Sequence, residues 1–379
     1  MTHTPKIAIV CDWLTEVGGA ERVILAVHEM YPNAPIYTSQ YRPKRAPWFG
    51  NADVRTGWLN VFPVALKRFI PFLRNLYFYF LNLKQYDIII SITGAEAKAV
   101  RKAKHAVHIS YMHAPTQYYW SLYDQYMKQP GFGILNPVVR LALWLLVRPL
   151  RKVDYNAAQR PDIIIANSSY VQGEIKKFYH RDSRVVWPNV AVKDIAAVAK
   201  KQLALKQERS GFIIYGRQVS WKRMDIAIKT AIKLRKSLTV AGSGPENSRL
   251  KEIAAHSPFI TFIPRYNGIK ELVPLIVKSE AFIFPSLEPF GIAPVEALAA
   301  GTPVIGLGKG GALDIIEEGK YGVFFEKQTV ASLLAAMKKF KNSHYDVKTI
   351  QQSALKFSEE SFKQQMKEII EQASHDKRA

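Results

Sequence analysis

Glu288 and Glu296 stand as Glu-x7-Glu inside Phe284-Pro-Ser-Leu-Glu-Pro-Phe-Gly-Ile-Ala-Pro-Val-Glu-Ala-Leu-Ala-Ala-Gly301. Ionised carboxylates only accept hydrogen bonds, so such a pair suits a ligand with neighbouring hydroxyls. Arg217 and Lys222 form a second pair, in the Gly-led loop Gly216-Arg-Gln-Val-Ser-Trp-Lys222. A planar guanidinium fork with a point charge five residues on can clamp a diphosphate and hold the charge of a leaving group. His113 opens His-x-Pro and is followed by aromatics to Trp120, a titratable ring beside stacking faces. Gly18-Gly19 would let backbone come close to a ligand at a helix start.

The elements that must hold these residues are legible as apolar runs and their breakers. Ala281–Phe284 reads as a buried strand, which Pro285, Pro289 and Gly291 break into a loop. A helix should follow, with Pro294 in its first turn and Gly301 just past its end, and Thr302–Ile305 is the next strand. Glu288 then falls at the carboxyl end of a parallel strand, where open α/β sheets bind ligands. Glu296 falls near a helix N-terminus, whose amides and dipole favour negative charge. Strands are likewise expected at Lys6–Val10, Pro35–Thr38, Tyr86–Ser91, Val107–Tyr111, Asp162–Asn167, Gly211–Tyr215, from Leu238 and from Phe259. A helix is expected over Ala20–Met30, and another between Ser91 and the cluster Arg101, Lys102, Lys104. The run Lys193–Ser210 is polar and Lys-rich and follows the link Val185–Val190. Alternating strands and helices place the chain in the α/β class.

Taken together, these motifs resemble the retaining glycosyltransferases of family four. The carriers are Gly-Gly-Ala-Glu-Arg at Gly18 to Arg22, the His113 segment, Ala166-Asn-Ser-Ser-Tyr-Val-Gln, Gly-Arg-x4-Lys from Gly216, and the Glu-x7-Glu stretch. The resemblance spans nearly the whole chain, most strongly 211–318. It implies the GT-B fold: two Rossmann-like doubly wound parallel sheets facing a cleft. The implied domains are 1–190, acceptor-binding; 191–356, nucleotide-sugar-binding; and 357–379, a helix packing back on the first. By the resemblance, Glu288 contacts hydroxyls of the transferred sugar, and Phe290 and Gly291 offer it backbone amides. Glu296 holds the ribose, Arg217 and Lys222 the pyrophosphate, and Arg265 stacks near the base. Gly18 and Gly19 lie near donor phosphate, His113 beside the donor sugar, and Tyr118 and Trp120 serve the acceptor.

The motif set is similar to GDP-mannose-dependent mannosyltransferases of bacterial polysaccharide assembly. GDP-mannose is therefore the expected donor, with UDP- or ADP-sugars as alternatives, and a lipid-linked or saccharide acceptor. No Asp-x-Asp occurs, so the pyrophosphate charge falls to Arg217, Lys222 and helix N-termini, and neither metal nor cofactor is expected. A sugar-nucleotide epimerase would share this architecture. Gly306-Leu-Gly-Lys-Gly-Gly311 matches G-x-G-x-x-G, yet it does not follow the first strand of its unit as a dinucleotide fingerprint would.

Composition sets outer bounds. The 379 residues, 48% hydrophobic, are enough for two domains with real cores. A formal charge of +22 favours anionic partners, and the first 190 residues hold 24 Lys/Arg against 12 Asp/Glu. A nucleic-acid-binding protein would explain that charge but has no use for the glutamate pair. The single cysteine, Cys11, excludes an intramolecular disulfide and reads as a small core residue in a cytoplasmic protein. No uncharged apolar run approaches about 18 residues, so no helix should span a bilayer. The segments Trp58–Lys84 and Pro137–Lys152 mix large apolar side chains with Lys and Arg. That composition suits a surface resting on anionic headgroups at the inner membrane face, with a core helix as the competing reading.

Overall fold

The computed structural model describes residues 5–63, 71–128, 130, 133–341 and 344–376. The basic stretch 64–70, part of the Trp58–Lys84 segment, lies outside the described residues. Residues up to Pro188 together with those from Phe362 form one compact unit, and Asn189–Ser361 form a second.

The first unit is built on seven parallel strands: β1 (Ile7–Cys11), β2 (Ile36–Thr38), β3 (Val54–Thr56), β4 (Ile88–Thr93), β5 (Val107–Met112), β6 (Ile163–Ala166) and β7 (Arg184–Val185). Their order is β3-β2-β1-β4-β5-β6-β7. The central strands are buried along their whole length, as β4 and β5 show, as expected of a parallel sheet covered on both faces. One face packs the helix Gly19–Met30 and the last helix, Glu359–Asp376. The latter contributes Phe362, Met366, Ile369, Ile370 and Ala373, an i, i+4, i+7, i+8, i+11 stripe. The other face packs Tyr77 and Phe78 of the helix Pro71–Phe80, the turn at Ala97–Ala99, and Ala157 of the helix Asn136–Ala158. Cys11 is fully buried and burial pushes its thiol pKa up, so it is inert packing.

The second unit has six parallel strands: β8 (Phe212–Tyr215), β9 (Leu238–Ala241), β10 (Ile260–Ile263), β11 (Ala281–Phe284), β12 (Val304–Leu307) and β13 (Gly322–Phe325). The order β10-β9-β8-β11-β12-β13 repeats the six-strand pattern of the first sheet. In each unit the order reverses between a first strand and a fourth, β1 beside β4 and β8 beside β11. Those reversals open the crevices where doubly wound sheets bind ligands.

Two stretches depart from the sequence reading. The expected helix before Arg101 is absent; a single 3-10 turn, Ala97–Ala99, stands there. Its amides are taken by a side chain instead: Asp12 accepts from the N–H of Gly94, Ala95 and Ala97 at 2.8, 3.1 and 2.8 Å. Conversely, most of the Lys-rich run after Lys193 is the helix Val192–Leu203. Val192, Ile195 and Ala199 are its buried stripe, and the lysines simply cover the outer face.

Candidate active site

The crevice of the second unit gathers most of the chemistry. The chain leaves β8 through Gly216, whose φ of +122° is left-handed and suits a residue without a side chain. It then turns through a 3-10 element, Ser220–Lys222, into the helix Met224–Leu234. Gln218 pins this loop. It is fully buried, its amide donates to the Gly242 carbonyl at 2.8 Å, and its side-chain oxygen accepts from Asn247 at 2.7 Å. Its backbone N–H also bonds the Ser243 carbonyl at 2.9 Å. Arg217 is exposed beside it, and Lys222 reaches back along the loop.

Across the crevice, the loop after β11 carries Glu288. Lys222 Nζ lies 2.6 Å from Glu288 Oε1, with side chains 20% and 18% exposed. Ser286 Oγ donates to the same oxygen at 2.8 Å. Residues 66 positions apart in sequence thus meet as an ion pair that still faces solvent. A cation and a carboxylate held side by side match a ligand whose phosphate adjoins a polyol. Phe290 is buried, and Gly291, at φ +115°, starts the helix Ile292–Ala299. Pro294 sits in that helix's first turn and Gly301 follows it at φ +77°, as the sequence indicated. Tyr215 donates its hydroxyl to the Ala293 carbonyl at 2.7 Å, fixing the helix start against β8.

Glu296 needs a correction. It lies in the second turn, and the first turn contains no acidic residue, so helix-end amides and dipole do not account for it. Arg265 is exposed in the loop after β10, at the sheet edge two strands from β8.

The glycines of Gly306–Gly311 serve loop packing. A side chain on Gly310 would place its Cβ 2.6 Å from the Glu288 carbonyl, and one on Gly311 would collide with Phe290. The Gly311 N–H donates to the Glu288 carbonyl at 2.9 Å. This loop is the floor on which Glu288 rests. Gly310 also has φ +70°, so Gly310→Ala incurs about 1–2 kcal/mol for the backbone alone. The clash pushes the Glu288 loop outward, and a displacement near 1 Å at a reacting site costs about 100-fold in rate. The expected result is a modestly lowered melting temperature with a turnover loss of that order. Wild-type turnover in a folded variant would show that this floor does not set Glu288.

In the first unit, Gly18 caps the helix Gly19–Met30 with extended backbone, so it is space rather than φ that a side chain would cost: its Cβ would lie 3.1 Å from the carboxylate of Glu21. His113 follows β5, and its N–H donates to the Thr93 carbonyl at 2.8 Å. Its ring lies edge-on to Tyr111 at 5.4 Å, and its Nε2 is buried with no hydrogen-bond partner. Burial lowers its pKa to about 4, against the pull of Asp12. The ring is therefore neutral at pH 7.

Tyr118 and Trp120 turn their polar ends inward. The Tyr118 hydroxyl donates to Glu96, which is paired with Arg74 at 2.8 Å. The Trp120 indole donates to Asp154 at 2.7 Å, and its ring stacks on Phe178 at 5.1 Å. Asp154 also pairs with Lys98 Nζ at 2.7 Å, both side chains 2% exposed, and accepts from Thr116 and Tyr179 at 2.7 and 2.6 Å. Asp12, Lys98, Asp154 and Gln218 were not singled out in the sequence. Asp12 had a signal, a lone acid directly after β1 at the switch point. Lys98, Asp154 and Gln218 had none, since each finds its partners in segments distant in sequence.

Comparison with known proteins follows this division. Residues 197–364, nearly the whole second unit, match the family model described as glycosyl transferases group 1. A glycogen synthase of Mycobacterium tuberculosis is 27% identical over 205 residues, 51% of this chain and 49% of that protein, so the chain spans about half the length of this relative. The mouse alpha-1,3/1,6-mannosyltransferase ALG2 is 24% identical over 373 residues, 86% of this chain and 85% of that protein. Among solved structures, Anabaena HepE in complex with UDP superposes with a TM-score of 0.69 at 16% identity, covering 97% of this chain and all of that one. The fold is that of the GT-B glycosyltransferases.

Proposed function

We propose that this chain is a retaining hexosyltransferase that moves a sugar from a nucleoside diphosphate donor to an acceptor hydroxyl, with no metal ion or cofactor. The observation that carries the reading is the Lys222–Glu288 pair, 2.6 Å apart in the β8/β11 crevice. Arg217 and Lys222 take the pyrophosphate, Glu288 the hydroxyls of the sugar, Phe290 and Gly291 its neighbouring oxygens, and Glu296 the ribose. Arg265 is assigned to the base, and Gly18, Gly19 and His113 to the donor. Tyr118 and Trp120 are assigned to the acceptor. In the reaction the acceptor oxygen bonds to the anomeric carbon as the bond from that carbon to the phosphate oxygen breaks. The acceptor proton passes to the leaving phosphate, whose charge Arg217 and Lys222 stabilise.

GDP-mannose is the favoured donor, supported by the motif combination and the likeness to a mannosyltransferase. A UDP-sugar is the second reading, favoured by the UDP in the HepE complex. The acceptor would be a lipid-linked or free oligosaccharide in surface polysaccharide assembly, at the inner face of the cell membrane. The test is slow release of nucleoside diphosphate from GDP-mannose, UDP-glucose, UDP-GlcNAc and ADP-glucose, each in EDTA. One donor should be turned over without metal. Silence in EDTA restored by manganese would overturn the metal-free mechanism, and interconversion of sugar nucleotides without transfer would favour an epimerase.

A further inference from the structure

The helix Asn136–Ala158 is the anomaly of the first unit. It has 23 residues, yet among its described side chains only Val147, Asp154, Ala157 and Ala158 are buried. Its first half shows its large apolar residues to solvent: Val138, Trp144 and Leu145 are 65%, 63% and 58% exposed, and Leu141 and Leu146 are similar. This is not a core helix over those turns. Positions 141, 145, 148 and 152 fall on one side by the helical period. That side therefore begins as leucines and ends as Arg148 and Lys152. No Asp or Glu occurs between Asn136 and Val153.

Where the apolar half ends, the same helix borders a cavity of about 440 Å3, lined by Arg151, Lys152, Lys177 and His180 with the rings of Trp120, Tyr155 and Phe178. No carboxylate lines it. Arg151 is preset: its Nε donates to the Tyr119 carbonyl at 2.6 Å, and its guanidinium lies 5.2 and 4.9 Å from the Trp120 and Tyr123 ring centres. Held this way, Arg151 lines the cavity beside Lys152 and Lys177, a cationic set that suits an anion. On the same sheet face, the helix Pro71–Phe80 exposes Phe72, Leu76 and Phe80 and shares one buried cluster with Ala157.

We propose that the first unit docks on an anionic phospholipid surface by inserting the Val138–Leu146 half of this helix among the headgroups, with Arg148, Lys152 and the Arg151/Lys177 cavity holding lipid phosphates. This deepens the membrane-side part of the proposed function and rests on it. Charge selects the occupant. A second copy would bring another +22 chain and the same cations against this face, whereas an anionic bilayer offers apolar depth and phosphate at the heights the helix presents. No described helix is long and apolar enough to cross a membrane, so the helix lies in the interface.

The test is co-sedimentation of the full chain, without donor, with vesicles of phosphatidylcholine alone or with about one third phosphatidylglycerol. The anionic vesicles should bind at least about tenfold more tightly, and salt should weaken that binding. The double variant Trp144→Glu/Leu145→Glu should lose about tenfold or more with an unchanged melting curve, both positions being exposed. Lys152→Gln/Lys177→Gln should flatten the salt dependence. Equal sedimentation of the Glu variant, no preference for anionic vesicles, or a dimer in solution that the Glu variant dissolves would overturn the proposal. Nucleotide release from soluble donor, measured without vesicles, reports on the transferase reading separately.

Discussion

Lys222→Ala should lower sugar transfer by about 100- to 1000-fold, the usual cost of removing one preset donor from the site of developing charge. Lys222 and Glu288 neutralise each other at 2.6 Å, so the site holds a cation and a carboxylate at no electrostatic penalty until a donor arrives. Under the proposed function, the donor phosphate would then compete for the ammonium while the sugar hydroxyls take over the carboxylate. Without Lys222 the donor meets an uncompensated Glu288, and repulsion adds to the lost attraction. Lys222→Arg should recover little, because a planar guanidinium fork does not place its charge where the compact ammonium sits against Glu288. Glu288→Ala should cost a similar factor with a different split, weakening sugar binding more than release of the phosphate. Stability should hardly change, since a pair this open to water is worth about 0–1 kcal/mol. Steady-state kinetics beside a thermal melt decide it: turnover within threefold of wild type would remove Lys222 from the mechanism.

The largest stability effect belongs elsewhere. Asp154→Ala should destabilise the first unit by about 3–5 kcal/mol. It strands the buried ammonium of Lys98 and removes the acceptor for Thr116, Trp120 and Tyr179 together. Asp154→Asn should recover part, keeping an acceptor but not the counter-charge. Lys98→Met/Asp154→Leu should cost far less than Asp154→Ala, because no unpaired charge is left behind. Urea unfolding followed at the tryptophans would show the first unit's transition moving down. A fall below about 1 kcal/mol would mean water or another group already satisfies Lys98.

These two sites also mark what a sequence can disclose. Glu288 was legible because a strand, two prolines, a glycine and a helix surround it, each with its own local signature. Lys222 was picked out by its Gly-led loop, but its pairing with Glu288 was not legible, since their meeting depends on β8 lying beside β11. Glu296 was read as lying near the helix N-terminus, but it falls in the second turn, beyond the first-turn amides. The missing helix before Arg101 failed for a tertiary reason: the carboxylate of Asp12, more than 80 residues away, takes the amides that a helix would have used. Lys98 sits among alanines and looks like any surface lysine until Asp154 is seen beneath it. Local chemistry was readable; pairings between distant segments were not.

The last helix carries a further consequence, for the order of events during synthesis. Phe362, Met366, Ile369, Ile370 and Ala373 complete the core of a unit whose other residues end at Pro188. The second unit, by contrast, is drawn from one uninterrupted stretch, Asn189–Ser361. It can therefore close as soon as it leaves the ribosome, while the first unit must wait for the helix that carries Phe362 to Ala373. Until then its sheet lacks the cover of five apolar side chains, of which Phe362, Met366, Ile369 and Ile370 are each worth up to about 3 kcal/mol when buried. The half made first is the half finished last, and it is the one that spends longest exposed to aggregation and to chaperones.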